Sequence, residues 1–305
     1  MKVLVTGGAG FIGSHVVNAL VLQGHTPIVL DDFSGGRTSN IPKEVRIYPA
    51  DLLSKKTEKI IKKEQPDMVI HLAAQVSVAK SLEDPAEDAA INVLGTIKLL
   101  GYCLKYNVKK FIFSSSSAVY GHAEGEASED FPASPLSFYG TSKSVSESYI
   151  RLYHELFGLP YTILRYANVY GPRQRSDGEG GVINIFIEKL LNGEQPCIYG
   201  DGTQTRDFVY VEDVAQANVA AMVYGDNQTI NIGTNTQTSI NELLTHLSVL
   251  LDSSKPPLYL PKRDGDILHS QLTNLKAKQL LHWEPAVDLP AGLTKTIESF
   301  LKERE

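Results

Sequence analysis

Tyr139 and Lys143, in the stretch SFYGTSK (137–143), set a phenol and an ammonium four residues apart. On a helix that spacing puts both on one face, one turn above the other. A free tyrosine ionises near pH 10 and is a reluctant base at neutral pH, whereas a neighbouring cation favours the phenolate. Lowering the phenol to about 7 takes roughly 4 kcal/mol, at ~1.4 kcal/mol per unit. A pair so tuned can take a proton and return it. With 14 tyrosines and 20 lysines in 305 residues, about one such spacing arises by chance. The pair therefore has meaning only if other residues build a site around it.

A second chemical element lies at the amino end, in VTGGAGFIGSH (5–15). Gly8, Gly10 and Gly13 satisfy G-x-G-x-x-G, and Gly7, Gly10 and Gly13 satisfy a wider G-x-x-G-x-x-G spacing. Glycines let a backbone approach a pyrophosphate closely, and a helix opening there offers it unpaired N–H groups. Asp31 follows Gly13 by 18 residues, close to the ~20 expected of a carboxylate that accepts from adenosine ribose hydroxyls. A carboxylate there repels a 2'-phosphate, so NAD is favoured over NADP, with Arg37 the one residue arguing otherwise. Asp32 competes with Asp31 for this role, and Asp51 either hydrogen-bonds the adenine or caps the following helix. A third element, FIFSSSSAVYG (111–121), places four serines where a parallel sheet delivers side chains to its ligand crevice.

These groups need a scaffold. Short β-branched runs at 2–6, 27–31, 45–50, 67–73, 109–115 and 161–166 alternate with helical stretches, which predicts an α/β fold of Rossmann type: a doubly wound parallel sheet, with a smaller C-terminal α/β substrate lobe. One helix is expected from Asp84–Pro85 through AEDAAINVLGTIKLLGYCLKYN. Another begins near Tyr139 with Val145, Tyr149, Leu152 and Leu156 as one apolar stripe. GPRQRSDGEGG (171–181) reads as a surface loop or lid, and TINIG (229–233) is the best later strand. The expected division is 1–170 plus 211–232 for the dinucleotide, and 171–210 plus 233–305 for a substrate lobe.

Composition narrows the classes. A net charge of -6, with 42% hydrophobic and 21% charged residues, fits a soluble globular chain without general attraction to nucleic acid. Cys103 and Cys197 lack metal or redox spacing and read as buried thiols. The run MKVLVTGGAG breaks at glycine too early for a signal-peptide core or membrane span, so a cytoplasmic location without membrane partner is expected.

TGGAGFIGSH, HLAAQVSVAKS, FSSSSAVYG, YGTSK, LRYANVYGPRQ, GDGTQTRDFVYVEDVA and KRDGD occur in that order over most of the chain. Together they resemble the extended branch of the short-chain dehydrogenase/reductases, the NAD-dependent epimerase/dehydratase family, and most of all its UDP-glucose/UDP-galactose 4-epimerases. The resemblance implies Ser116 as the catalytic serine, with Ser115 and Ser117 beside it, Tyr139 as acid-base, and Lys143 on the nicotinamide ribose. It implies that Phe11, Ile12, Leu52, Leu72, Ala73 and Ala74 join Gly7, Gly10, Gly13, Asp31, Asp32 and Asp51 around NAD. Asn168, Arg206 and Arg263 are implied as diphosphate or nucleotide contacts, Tyr199 as the aromatic near the uracil and Asp266 as the acid on the uridine ribose. A UDP-sugar substrate, a transient 4-keto intermediate and a homodimer packed through the helices near 85 and 139 also follow from it, although those helices' apolar stripes are equally readable as intramolecular core.

Departures from the family narrow the reaction. Dehydratases carry Asp-Glu after the catalytic threonine and decarboxylases a nearby glutamate, where this chain has Ser117–Ala118. Ala118 stands where some UDP-galactose epimerases have threonine, and Ser270 stands where epimerases limited to plain hexoses carry tyrosine. The smaller Ser270 leaves room for an N-acetyl group at carbon 2. A uronic acid would draw on Arg173 or Arg175. The reading from another class is a dinucleotide-binding sensor or scaffold without turnover, but such proteins typically lose the tyrosine or the lysine.

Overall fold

Val3, Leu4 and Val5 are wholly buried because both faces of their strand are covered, as in the middle of a parallel sheet. The structure is a computed structural model, and it describes residues 1–123, 125–175, 181–262 and 267–304. The strands are β1 (Lys2–Thr6), β2 (Thr26–Asp31), β3 (Arg46–Pro49), β4 (Met68–His71), β5 (Lys110–Ser116) and β6 (Tyr161–Tyr166). They continue as β7 (Asn168–Tyr170), β8 (Cys197–Tyr199), β9 (Thr205–Arg206), β10 (Phe208–Tyr210), β11 (Gln228–Ile232), β12 (Thr238–Ser239) and β13 (Leu258–Leu260). Seven of them form one sheet, ordered β11-β6-β5-β4-β1-β2-β3, with every neighbouring pair parallel. The chain leaves β1 in opposite directions toward β2 and β4, and a ligand crevice opens at the carboxyl ends of such a switch point.

The helices are α1 (Phe11–Leu22), α2 (Lys55–Glu64), α3 (Val78–Glu83), α4 (Pro85–Ala89), α5 (Gly95–Lys105), α6 (Phe138–Phe157), α7 (Val182–Leu191), α8 (Val211–Ala220), α9 (Ile240–Leu250), α10 (Leu275–Leu281) and α11 (Leu289–Arg304). Helices α1, α8 and α10 cover one face of the sheet, and α2, α5 and α6 cover the other. A third core, built on Tyr170, Phe186, Tyr210, Leu243, Leu247 and Leu293, holds α7, α9 and α11 together. Within 233–305, Ala277, Leu281 and Trp283 pack in the sheet's core rather than in this third one.

The sheet strands lie within two residues of their expected bounds, and β1 and β6 coincide with them. Pro85 opens α4 behind the Asp84 cap, which accepts from the Glu87 N–H at 2.9 Å. The expected single helix is interrupted, however, by a π-turn at Ala90–Leu94. Helix α6 is inverted with respect to its apolar stripe. Gly140, Ser142, Lys143, Ser146, Glu147 and Ile150 face inward, while Val145, Tyr149, Leu152 and Leu156 are 37–63% exposed. That stripe is therefore not the face by which α6 packs on the sheet, because the inward positions are taken mainly by polar groups paired with other elements. Cys103 is buried as expected, but Cys197 is only half-buried, on the short strand β8.

Candidate active site

The glycine loop runs directly from β1 into α1. Gly7 has φ +67, and a Cβ there would lie 2.6 Å from the Ala73 nitrogen, while a Cβ on Gly13 would lie 2.1 Å from the Gly7 carbonyl. Only glycine fits either place. The N-cap of α1 is Gly10, which supplies no side-chain cap, and the first turn holds no acid. The positive end of the helix is left for an anionic group, so the loop fits a dinucleotide pyrophosphate. Phe11 and Ile12 of that turn are half-buried, as are Leu72, Ala73 and Ala74 beyond β4, while Leu52 is buried.

Asp31 ends β2 and is 5% exposed. Its Oδ2 accepts from the Ala9 N–H at 2.9 Å and its Oδ1 from the Phe33 N–H at 2.8 Å, tying the glycine loop to the strand and leaving further lone pairs for a ribose. Burial pushes its carboxyl up against those bonds. Asp32 is exposed and accepts from Ser34. Asp51 accepts from the Leu53 N–H at 2.6 Å; the N-cap of α2 is Ser54, so the capping alternative for Asp51 does not hold. Asp32, Pro49, Ala50, Asp51, Ser54 and Lys56 line a cavity of about 320 Å³ at the carboxyl ends of β2 and β3. Arg37 points to solvent, its backbone N–H bonded to the Ala9 carbonyl.

The serine run divides by strand alternation. Ser115 is buried and donates to Glu147 at 2.6 Å, whereas Ser116 is half-buried and lies close enough to the Tyr139 phenol to lower it. Its Oγ already accepts from the Ala118 N–H at 3.1 Å, so its own hydrogen is free for the phenol. Tyr139 and Lys143 come from the first two turns of α6, started by Ser137, whose side chain accepts from the Gly140 N–H at 3.1 Å. Ser116, Tyr139 and Lys143 thus meet at the carboxyl edge of the sheet.

The electrostatics of the pair differ from the expectation. Burial pushes the Tyr139 phenol up to about 12; Ser116 lowers it and the charge of Asp88 raises it further. Burial pulls Lys143 down to about 8 against the charges of Asp88 and Glu147. The Lys143 Nζ donates to the Ser114 carbonyl at 2.8 Å and stands 5.8 Å from the Tyr139 ring centre. Desolvation dominates and Lys143 is not among the groups that shift the phenol, so a positive charge brought close to the ring, such as that of an oxidised nicotinamide, would be what favours the phenolate.

The other expected contacts gather around the lobe. Asn168 opens β7, exposed, two residues after Tyr166, which is paired in register with Ser116. Its N–H donates to the Asp207 carbonyl at 2.9 Å, which places it beside Arg206 on β9. Tyr199 on β8 and Arg206 are half-buried, as is Ser270. The Leu268 carbonyl accepts from the Thr205 N–H at 2.8 Å, bringing the Ser270 segment against Arg206. Arg263 and Asp266 lie outside the described residues. Arg173 donates to the Asn40 carbonyl at 3.3 Å, on the dinucleotide side rather than toward a sugar.

Several residues that position the site were not singled out from the sequence, although Thr6, His71, Arg165 and Asp207 lie inside the quoted motifs. Thr96 donates to the Asn92 carbonyl at 2.6 Å and so accepts from His71 Nε2 at 3.0 Å; His71 Nδ1 then accepts from Thr6 at 2.7 Å. His71 stays neutral, pushed down to about 3 by burial and then by Lys143. Glu147 accepts from Arg165 at 2.9 and 2.7 Å and from Arg151 at 3.2 Å. Asp207, wholly buried, accepts from Thr234, Asn235 and Leu272 and fixes the strand end after Arg206. For Glu147 a signal did exist: it continues the four-residue spacing of Tyr139 and Lys143.

A second cavity of about 310 Å³, lined by His25, Tyr224, His282 and Trp283 among others, lies at the opposite, amino-terminal edge of the sheet and touches none of these groups. Among the described residues, no helix is long and apolar enough to cross a membrane.

Comparison with known proteins agrees with the fold. Residues 3–233 match the NAD dependent epimerase/dehydratase family. UDP-glucose 4-epimerase of Thermotoga maritima, solved with UDP-glucose, is 46% identical, each chain covered in full, with a TM-score of 0.98. UDP-N-acetylglucosamine 4-epimerase of Methanobrevibacter ruminantium, solved with UDP-N-acetylmuramic acid, is 38% identical over 99% of this chain and 98% of that one, with a TM-score of 0.94. UDP-glucose 4-epimerase of Mycolicibacterium smegmatis is 40% identical over 98% of both chains. A glycine cradle with its acid, a Ser-Tyr-Lys set at the same sheet edge and likeness over the whole chain place this protein in the NAD-dependent epimerase/dehydratase family, within its UDP-sugar 4-epimerases.

Proposed function

We propose that the protein interconverts a UDP-hexose and its 4-epimer, with UDP-glucose and UDP-galactose as the first candidates. The observation that carries this reading is the convergence of Ser116, Tyr139 and Lys143 beside the glycine loop. Bound NAD+ supplies a hydride acceptor that later returns the hydride. Tyr139 takes the proton of the sugar 4-hydroxyl and gives it back to the same oxygen in the inverted product. Ser116 holds that oxygen, and Lys143 holds the nicotinamide ribose and keeps positive charge beside the phenol. Asn168, Tyr199, Arg206, Arg263 and Asp266 grip the nucleotide, so that the sugar itself is held loosely enough to present either face. The stretches 171–210 and 233–305 close over the sugar nucleotide.

A second substrate, the N-acetylated pair, is favoured by the short side chain of Ser270 beside the Arg206 strand. The exposed stripe of Val145, Tyr149, Leu152 and Leu156, with Leu94 and Leu82 also exposed nearby in the fold, supports a homodimer packed through α6 and the helices near 85. UDP-glucose, UDP-N-acetylglucosamine and UDP-glucuronate, incubated separately without added NAD and analysed after mild acid, test the proposal. Inversion of a hexose without added cofactor is expected. NAD-loaded protein that inverts none of the three would return it to the sensor or scaffold reading.

A further inference from the structure

Four charges are buried around the catalytic helix, and they sort into two pairs. Glu147 and Arg165 are joined by two hydrogen bonds. Lys143 has no such partner; its Nζ bonds a neutral carbonyl, that of Ser114. The remaining acid is Asp88, 1% exposed at the end of α4. Its Oδ1 accepts from Gln75 Nε2 at 2.9 Å and from Asn92 Nδ2 at 3.0 Å, while its Oδ2 is buried without a hydrogen-bond partner. A buried charge without compensation is costly, so a lone ammonium in this interior would tend to lose its proton.

We infer that Asp88 is the counter-charge and positioning residue of the catalytic pair: held by Gln75 and Asn92, it keeps Lys143 an ammonium and fixes the first turns of α6 against the cofactor cradle. The positioning runs through a continuous set of bonds. Asn92 sits in the π-turn, a distortion that recurs at functional sites. Its amide donates to Ser142 Oγ at 3.1 Å, and Ser142 donates to the Tyr139 carbonyl at 2.9 Å. The Gln75 N–H donates to Asn92 Oδ1 at 2.9 Å, so the loop that follows Leu72, Ala73 and Ala74 is tied into the same cluster. Of the titratable groups on the facing helix α6, the charge of Asp88 acts on Tyr139 and Lys143; Lys80, Glu83, Asp84 and Glu87 on α3 and α4 are exposed. Glu147, which also acts on Lys143, is paired with Arg165, and the Asp88–Asn92–Ser142 bonds set the end of α4 against the turn of α6 that carries Lys143. The negative charge of Asp88 also opposes the phenolate of Tyr139. Asp88 thus holds the lysine charged at the expense of a less acidic tyrosine, and the cofactor's positive ring must reverse the second effect.

The inference rests on Tyr139 and Lys143 being the acid-base pair. Its test reads ionisation directly, by 13C NMR of labelled tyrosine and lysine in the NAD-loaded protein, with Tyr139→Phe and Lys143→Met assigning the signals. In Asp88→Asn, which keeps the shape and the acceptor for Gln75 and Asn92, the Tyr139 and Lys143 midpoints are both expected to fall by about one pH unit. The pH profile of turnover slides to acid with them. Should Asp88→Asn not fold, Asp88→Ser removes the same charge and tests the same shift. Unmoved midpoints in a folded variant, whatever the loss of rate, overturn the inference and leave Asp88 a packing residue. Shifted midpoints in a protein that inverts no sugar nucleotide would uphold Asp88's electrostatic part and defeat the functional reading instead.

Discussion

The ammonium of Lys143 donates to the carbonyl of Ser114 at 2.8 Å. That bond joins α6, which carries Tyr139, to β5, which delivers Ser116 two residues later, so the three residues share one junction.

Lys143 is drawn down to about 8 by burial, and as a base it is charged below that pH and neutral above it. Turnover is therefore expected to fall as pH rises through about 8, because the phenolate loses its neighbouring cation. A kcat profile on UDP-glucose that stays flat to pH 10 contradicts this assignment.

Gly13→Ala adds a methyl 2.1 Å from the Gly7 carbonyl, so the loop must shift away from its phosphate-binding shape. NAD affinity is expected to drop at least about tenfold, equivalent to 1.4 kcal/mol, with far-ultraviolet circular dichroism unchanged. Isothermal titration with NAD reads the loss directly, and retention of wild-type affinity would mean the pyrophosphate lies elsewhere.

Glu147→Gln leaves Arg165 buried beside a neutral amide, and removing one partner of a buried pair costs about 3–5 kcal/mol. Burial raises the Glu147 carboxyl, but the Arg165 bonds outweigh it and hold the group below its ordinary range. A carboxyl lowered in the folded state adds stability above its unfolded pKa of about 4.5 and loses it as pH falls through the lower folded value. Urea denaturation should show a large gap between wild type and variant at pH 7 that narrows below pH 4. A constant gap across that range would argue that packing, not charge, is what the substitution removes.

Ser270→Tyr places a ring beside the Arg206 strand. The ratio of kcat/KM for UDP-N-acetylglucosamine over UDP-glucose is expected to fall by at least about tenfold, a difference of ~1.4 kcal/mol in transition-state binding. An unchanged ratio would remove Ser270 from the determinants of substrate choice.

The sheet was legible because its strands are β-branched runs buried on both faces, and the glycine loop because its spacing serves one backbone shape. Tyr139, Lys143 and Ser116 were legible as an ordered set. The orientation of α6 was not: its core face is mainly Ser142, Lys143, Ser146 and Glu147, polar side chains whose partners, Asn92, Ser114 and Arg165, sit on other elements. Pattern along one helix cannot register partners distant in the chain. For the same reason nothing in AEDAA set Asp88 apart. Helices α7, α9 and α11 escaped notice because their shared core is assembled from short segments between residues 170 and 300.

The central claim is that Tyr139 moves the proton of the sugar hydroxyl. Its most direct measurement is the rate of sugar inversion by Tyr139→Phe, with bound NAD quantified in the same sample. Inversion is expected to fall about 10²- to 10⁴-fold, the usual contribution of a positioned acid-base, while the nucleotide stays bound at wild-type stoichiometry. Inversion at close to the wild-type rate would show that the proton is handled by another group.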